Sequence, residues 1–480
     1  MPPSLLETDG YKFSMAEAGF PLRRETFHYT HRKGGWQLVP LDVARFVREA
    51  LPVPTDEDWA YLDRHGYLQG GGYRAAILRR DAVRVDAIPQ GAWFFAREPV
   101  FSVTGPSALA SWLEPLALQL SFRIQVATAA ALGTLPSALT ATCDRERELI
   151  LATVDAVGGR APTVTVEPDR YHDAVLARAE ALVAVVGDGD RLFEVGMRAV
   201  SCAEQHAVAL AAIRDAGIRR TSNVGLARAL GMVPVGTMGH EHVQRHGTDA
   251  AAFTAMRDRY PGFVFYLPDT FDTARSGIPA ALDAIADAPD RSAGIRFDSE
   301  HDIEAHWTLA VTRCRARGLT PILGLESGWN EALTRRFEAL RVEAGWPADR
   351  QAYGYGGYLV SPPWPTFRRD DVSAVYKISD SGGRATMKFG DEPNGGKSSL
   401  PGRPVLWRPP SFGEAGPVGI VAQDGELVPD AERLTGGDAP PITPDVVRRW
   451  TGGPVTLSAE TRTLVARCTA ARAAALGSAT

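Results

Sequence analysis

The sequence predicts an α/β fold: an irregular (β/α) barrel over residues 141–365, set against a discontinuous α/β domain built from both termini, 1–140 and 366–480. Three observations predict it. Between Thr163 and Val360, strand-length apolar runs alternate with helix-period segments. They give about seven βα units, which favours a parallel barrel over an open sheet. The two flanks lack this alternation. Polar residues also gather where the expected strands end, which is where α/β proteins carry their chemistry.

In chain order, Thr26–His31 reads as a strand before the Lys33-Gly34-Gly35 turn, and Leu41–Leu51 is amphipathic. Thr55–His65 carries a helix-capping start in Thr55-Asp56-Glu57-Asp58. Pro89-Gln90-Gly91 and Arg97-Glu98-Pro99 break Val83–Val103 into hairpin-linked strands. Leu109–Leu132 is apolar with helical period, and Glu114, Gln119, Arg123 and Gln125 interrupt it, which favours core over membrane. The barrel strands are expected at Phe193–Val200, Arg219–Ser222, Val233–Thr237, Phe263–Leu267, Gly294–Asp298, Pro321–Leu325 and Ala352–Val360. Helices are expected between them, at Ala203–Ala216, after Ser222, and at Asp249–Tyr260, Pro279–Ala288, Ile303–Arg317 and Asn330–Ala344. Beyond Ser361-Pro362-Pro363, short strands at Ala374–Ile378, Val405–Arg408, Val418–Ala422 and Glu426–Val428 precede a helical tail, Ala459–Leu476.

With 480 residues, 45% of them hydrophobic, the chain can bury a large core and is expected to hold two domains. A net charge of -5 leaves no basic footprint for nucleic acid. The four cysteines, Cys143, Cys202, Cys314 and Cys468, are far apart in sequence and read as isolated reduced thiols. The start M-P-P-S-L-L-E-T-D-G has no secretory pattern, and no apolar run is long enough to span a bilayer. A cytoplasmic protein is expected.

The strand ends supply Arg198, Thr221-Ser222, Thr237 to His240, Asp269, Arg296-Asp298-Ser299, Glu326-Ser327 and Gly356-Gly357. His240 lies just past the Thr237 turn and suits a neutral imidazole nucleophile or acid–base group; the plainer alternative is a turn histidine bonded to backbone. His242-Val-Gln-Arg-His246 lacks the glutamate of H-E-x-x-H, so zinc is the weaker reading of His240, His242 and His246. Arg296 and Asp298 share one side of an extended strand, fitting an anion and a ribose or Mg²⁺-bound water, or else an in-strand ion pair. Tyr353-Gly-Tyr-Gly-Gly357 has the glycines of a phosphate cradle, although strands also use glycine at bends. Lys377, Lys388, Lys397, Arg403 and Arg408 form a loose basic set, mostly solvated, of which one or two reach toward a polyanionic substrate.

Taken together, these residues resemble the nicotinate phosphoribosyltransferase family over most of the chain, in order. T-D-G-Y-K-F-S-M at Thr8–Met15 is similar to its T-D-x-Y-K motif, and Glu98-Pro99 with Val103–Pro106 to its E-P-x-x-x-V-x-G-P pair. Thr221-Ser222-Asn223-Val224 resembles G-T-S-N-V, Gly236–Glu241 resembles G-T-x-x-H, Asp269–Thr273 resembles D-T-Y-D-T, and Arg296–Ser299 resembles R-x-D-S. Val375-Tyr376-Lys377 and Leu400-Pro401-Gly402 resemble V-Y-K-L and L-P-G-x-K. The resemblance implies attack of nicotinate on 5-phosphoribosyl-1-pyrophosphate (PRPP), giving nicotinate mononucleotide and pyrophosphate for NAD salvage. ATP as co-substrate would phosphorylate a histidine, with Mg²⁺ on the phosphates. It implies His240 as the phosphohistidine, Asp269 as the carboxylate against it, and Thr237 and Ser299 as substrate contacts. Arg198, Arg296 and Ser222 would bind the base, with Asp298 nearby, and Gly356 and Gly357 the ribose 5-phosphate. Tyr11 would stack on the base from a partner subunit, making a homodimer with shared active sites.

Three positions depart from the pattern. Arg220 replaces the first glycine of G-T-S-N-V, Val195 stands where many members have phenylalanine, and Gly239-His240-Glu241-His242 differs from A-H-S/E-W. The alternatives are a nicotinamide phosphoribosyltransferase, which Ser222 disfavours because relatives specific for the amide carry aspartate there; a quinolinate enzyme, which is shorter; and a non-catalytic phosphoribosyl-binding paralogue.

Overall fold

The two ends of the chain meet in one antiparallel sheet. In the computed structural model, which describes residues 3–67, 70–260, 262–299, 301–389, 398–410, 416–434, 442–450 and 455–477, its strands run in the order Arg384–Ala385, Ala374–Ser381, Arg24–His31, Phe101–Pro106, Arg84–Ala87. Lys397 lies outside the described residues. The register sets Tyr29 opposite Tyr376 and Phe101. Phe27 stacks on Tyr376 at 5.2 Å between ring centres, and Tyr29 on Phe101 at 4.9 Å. Such cross-strand aromatic pairs fix a register because a one-residue slip would turn every ring to the other face.

A second sheet orders Glu432–Arg433, Pro404–Arg408, Ile420–Gln423 and Thr456–Leu457, with the helix Ala459–Gly477 packed on it. It is joined to the first by a buried ion pair between Arg408 and Glu98, whose carboxylate also accepts the Phe95 N–H at 2.7 Å. Arg408 therefore leaves the solvated basic set expected from sequence. Arg408→Ala strands a buried carboxylate and is expected to cost about 3–5 kcal/mol, measured as a lower urea midpoint.

The barrel region holds seven parallel strands in the order Val233–Pro234, Arg220–Thr221, Leu192–Glu194, Gln351–Tyr355, Ile322–Leu325, Ala293–Phe297, Val264–Tyr266. The sheet curls into a half-barrel whose two edge strands do not pair through backbone. The expected strand Val233–Thr237 stops at Pro234, because Gly236 turns the chain away at φ +137°. The Thr237 hydroxyl spans the open seam instead, donating to the Phe265 carbonyl at 2.9 Å and accepting the Phe265 N–H at 3.2 Å. Ala352–Val360 is also shorter than expected: the strand ends at Tyr355, and Gly357–Val360 is a helical turn.

The cysteines are not all isolated. Cys143 and Cys202, each at the start of a helix, bring their sulfurs to 3.6 Å, a proximity that a separation of 59 residues hides.

Candidate active site

The site begins with the amino-terminal segment docked across the carboxy-terminal end of the half-barrel. The Gly10 N–H donates to the Ser222 carbonyl, the Val224 N–H to Thr8 and the Gly225 N–H to Leu6. The Ser14 hydroxyl is 2.7 Å from the Thr237 carbonyl. Contact is so close that a Cβ on Gly10 would lie 2.3 Å from the Val235 carbonyl oxygen, and one on Gly236 2.4 Å from the Tyr11 nitrogen. Below, Glu194 accepts from Thr221 Oγ1 at 2.6 Å and pairs with His206 Nε2 at 2.9 Å. The Asn223 amide reaches His206 Nδ1, and Asn223 Oδ1 caps the helix Val224–Leu230 through the Leu226 N–H. This buried network holds the Ser222 turn rigid, and sequence reasoning had no signal for it.

Between segment and barrel lies a cavity of ≈ 500 Å³. Tyr11, Arg198, Ser222, Thr237, His240, Arg296 and Asp298 all line it, together with Asp9, Glu114, Glu326 and Lys377. Glu114 is the hub of one end. Its carboxylate meets the Tyr11 hydroxyl, Lys12 Nζ at 2.8 Å, Lys377 Nζ at 3.4 Å and Arg198 Nη1 at 3.7 Å. Burial pushes Glu114 up, but Lys12, Lys377 and Arg198 outweigh it and hold the carboxyl well below its usual range. The Tyr11 in this cavity is the chain's own, 6.0 Å from the Arg198 guanidinium. Backbone bonds from residues 6–10 to the Ser222 turn and helix start, and the Ser14 hydroxyl on the Gly236 carbonyl, hold the segment that carries it.

His240 opens the helix His240–His246 and is buried. Its Nε2 lies 2.8 Å from Lys388 Nζ, 3.4 Å from Asp298 Oδ2 and 3.9 Å from Asp269 Oδ2. An ammonium can only donate, so Nε2 accepts, and the ring proton sits on Nδ1, 3.1 Å from Thr270 Oγ1. Lys388 thus sets the tautomer, and the Thr270 hydroxyl accepts the ring proton. Burial, and then the charge of Lys388, lower His240 to about 3, leaving a neutral ring with its lone pair among charges. Burial pushes Asp269 up to about 7 and lowers Lys388 to about 8. Asp298 is held low: burial opposes its charge, but the cations Lys388 and Arg296 prevail. Lys388 was legible only as one of five basic residues; its position beside His240 was not.

The signs of these shifts make a test. Asp269 binds its proton more tightly folded than unfolded, so that contribution to stability is present at low pH and is lost as pH rises from 3.8 toward about 7. Asp269→Asn is expected to raise the melting temperature at pH 8 more than at pH 4, by scanning calorimetry.

The remaining expected residues separate from this cluster. Ser299 is buried one residue beyond Asp298 and does not line the cavity. Gly356 and Gly357 follow the strand Gln351–Tyr355 and do not line the cavity themselves; a Cβ on Gly356 would lie 3.8 Å from the carbonyl oxygen of the lining residue Val195, and one on Gly357 3.2 Å from Asp370 Oδ2. His242 Nε2 pairs with the Ala252 carbonyl and His246 Nε2 with that of Ala18, each at 3.0 Å. The Arg245 guanidinium pairs with buried Glu25 at 2.9 Å, tying the His240 helix to the terminal sheet.

No protein-family model matches the chain. A curated nicotinate phosphoribosyltransferase of Bos taurus is 25% identical over 421 residues, covering 85% of this chain and 71% of its own. One of Bacillus subtilis (strain 168) is 31% identical over 257 residues, covering 50% of this chain and 47% of its own. Among solved structures, a nicotinate phosphoribosyltransferase from Porphyromonas gingivalis aligns with a TM-score of 0.56 at 19% identity, over 79% of this chain and 90% of that one. Another, from Vibrio cholerae, gives 0.57 at 17% identity, over 82% and 89%. The structural likenesses show the fold. In sequence, the chain is similar to curated nicotinate phosphoribosyltransferases, in the bovine case over most of its length.

Proposed function

We propose that the chain is a nicotinate phosphoribosyltransferase that joins nicotinate to PRPP, releasing nicotinate mononucleotide and pyrophosphate, with ATP hydrolysis coupled through phosphorylation of His240. The observation that carries this reading is a neutral imidazole whose Nε2 faces Lys388, Asp298 and Asp269 beside a cavity lined by Arg198, Arg296 and Ser222. A buried lone pair next to a donor cation is a nucleophile set to receive a phosphoryl group, and Lys388 is placed to neutralise its charge. Arg198 and Arg296 would take the base carboxylate, and Asp298 the ribose hydroxyls. Ser299, Gly356 and Gly357 remain candidates for the PRPP phosphates. Arg198 and Lys377 in the cavity wall, and Lys388 beside His240, are further candidates.

Mg²⁺ fits the residues present. Asp269 and Asp298 offer carboxylate oxygens beside His240, and both Asp269 oxygens are buried without hydrogen-bond partners. Among the described residues no group of three or more His, Cys, Asp or Glu could hold a metal ion, whereas two carboxylates suit an ion that also keeps phosphate and water ligands. Bound there, it would neutralise phosphate charge. Among the described residues no helix is long and apolar enough to cross a membrane, and a cytoplasmic role in NAD salvage fits the substrates. A homodimer with shared active sites stays in the proposal.

One observation favours a second reading. Asp9 lines the cavity, accepts from the Ser222 hydroxyl at 2.6 Å, and leaves Oδ2 without a hydrogen-bond partner. A carboxylate there would accept an amide proton and repel an acid, favouring nicotinamide. Product analysis with nicotinate, nicotinamide and quinolinate, each with and without ATP, decides. Nicotinate turnover that ATP stimulates is expected, and exclusive use of nicotinamide would overturn the choice of base.

A further inference from the structure

The cavity does not stop at the base. Its lining also includes Arg220, Val233, Phe263, Ser292, Ile322 and Ala352, each within one residue of the start of its strand, opposite to His240 and Asp298. From Ser292 to Asp298 is six residues of extended chain, about 20 Å, so the space runs the length of the half-barrel.

The reason is compositional. Barrel interiors are usually filled by layers of bulky branched side chains. Here three adjacent strands carry glycine at inward-facing positions, Gly294, Gly324 and Gly354, each two residues further along in register than the last. Phe265 lies against the first two and Phe193 against the third: a Cβ would come within 2.4, 3.0 and 2.6 Å of those rings respectively. With the rings flattened onto the glycine walls, a slot with aromatic sides is left. Val195, smaller than the phenylalanine common at its position, lines the upper end. Arg220, where the family pattern has glycine, lines the lower end. Its guanidinium donates to the Asp190 carbonyl, and no carboxylate lies within salt-bridge distance among the described residues. Val233 beside it is 51% exposed, so this end reaches solvent.

We infer that this lower channel is a substrate subsite, and that the enzyme accepts nicotinates extended by an aryl group ending in a carboxylate, held by Arg220. The inference rests on the function proposed above and names a wider substrate class for the same site. If the ring nitrogen faces PRPP at the His240 end, substituents on the far edge of the ring, at carbon 4 or carbon 5, are directed toward the channel. Those at carbon 6 do not. The aromatic walls suit an aryl spacer, and an arginine lacking an acid partner suits its terminal anion.

The test uses 5-(4-carboxyphenyl)nicotinate, 5-phenylnicotinate and 6-phenylnicotinate on the full chain. Calorimetric binding of the diacid, weakened about tenfold by Arg220→Ala, as one lost charge-assisted contact implies, supports the subsite. Affinity for 5-phenylnicotinate should not change in that variant. Ala352→Phe should abolish binding of both 5-aryl compounds; if it fails to fold, Val233→Phe at the exposed mouth closes the same end. Equal affinity of the diacid for wild type and Arg220→Ala, or preference for the 6-phenyl compound, overturns the subsite. Nicotinate turnover is measured alongside in wild type. Its absence would refute the reading of function and leave calorimetry to judge the channel.

Discussion

Glu114→Ala is expected to destabilise the protein by about 3–5 kcal/mol and to remove most activity at temperatures where it still folds. Glu114 is buried in the apolar helix Glu114–Ala131 and faces Lys12, Lys377 and Arg198. Without it, three cations converge on one buried point with Asp9 and Glu241 as the nearest opposing charges. Removing one partner of a buried pair is costly because the other is left without compensation, and here one carboxylate serves several partners. The same change frees the Tyr11 hydroxyl and lets Arg198 drift from the cavity wall. Glu114→Gln keeps the shape but not the charge, so it separates packing from electrostatics. Urea midpoints for both variants should fall, Ala further than Gln, while kcat/KM falls in both.

His240→Ala is expected to leave the fold intact and to uncouple ATP. The ring has few fixed partners, Thr270 on one nitrogen and Lys388 on the other. Its loss leaves a small cavity beside groups that already face a larger one. If Nε2 accepts the phosphoryl group, ATP hydrolysis should fall at least about 10²-fold, the range seen when a positioned catalytic group is removed. Nicotinate turnover without ATP should persist near its unstimulated level. Lys388→Met is the companion variant. With the adjacent cation gone, His240 loses a charge that lowers its pKa, so the acid limb of the pH profile should move to higher pH.

The half-barrel was legible because its strands and helices differ in period, and because inward residues alternate along each strand, as Arg296 and Asp298 do. Its edges were less legible. A two-residue strand at Val233–Pro234 leaves too short a run to bound, and a seam bridged by the Thr237 hydroxyl has no periodic signature. Of the site, the strand-end residues could be found in the sequence because topology gathers strand ends on one face. Asp9, Glu114 and Lys388 come from the terminal segments, where no repeat relates sequence position to space. Glu114 did carry a signal, a lone acid inside an apolar helical run, where an ionised group needs buried partners. Lys388 carried none beyond its charge. Thr270 stood inside the Asp269–Thr273 motif, yet only the geometry shows that it meets the imidazole at Nδ1 while Asp269 lies 3.9 Å from Nε2.

The most direct measurement of the proposed coupling is phosphate on the protein itself. Wild type and His240→Ala are incubated with ATP and Mg²⁺, quenched in alkali, and mapped by mass spectrometry. The prediction is an acid-labile, base-stable phosphate on the peptide containing His240, lost on adding nicotinate and PRPP and never formed in His240→Ala. Phosphate retained in His240→Ala, or its absence from a wild-type enzyme whose nicotinate turnover ATP stimulates, would contradict it.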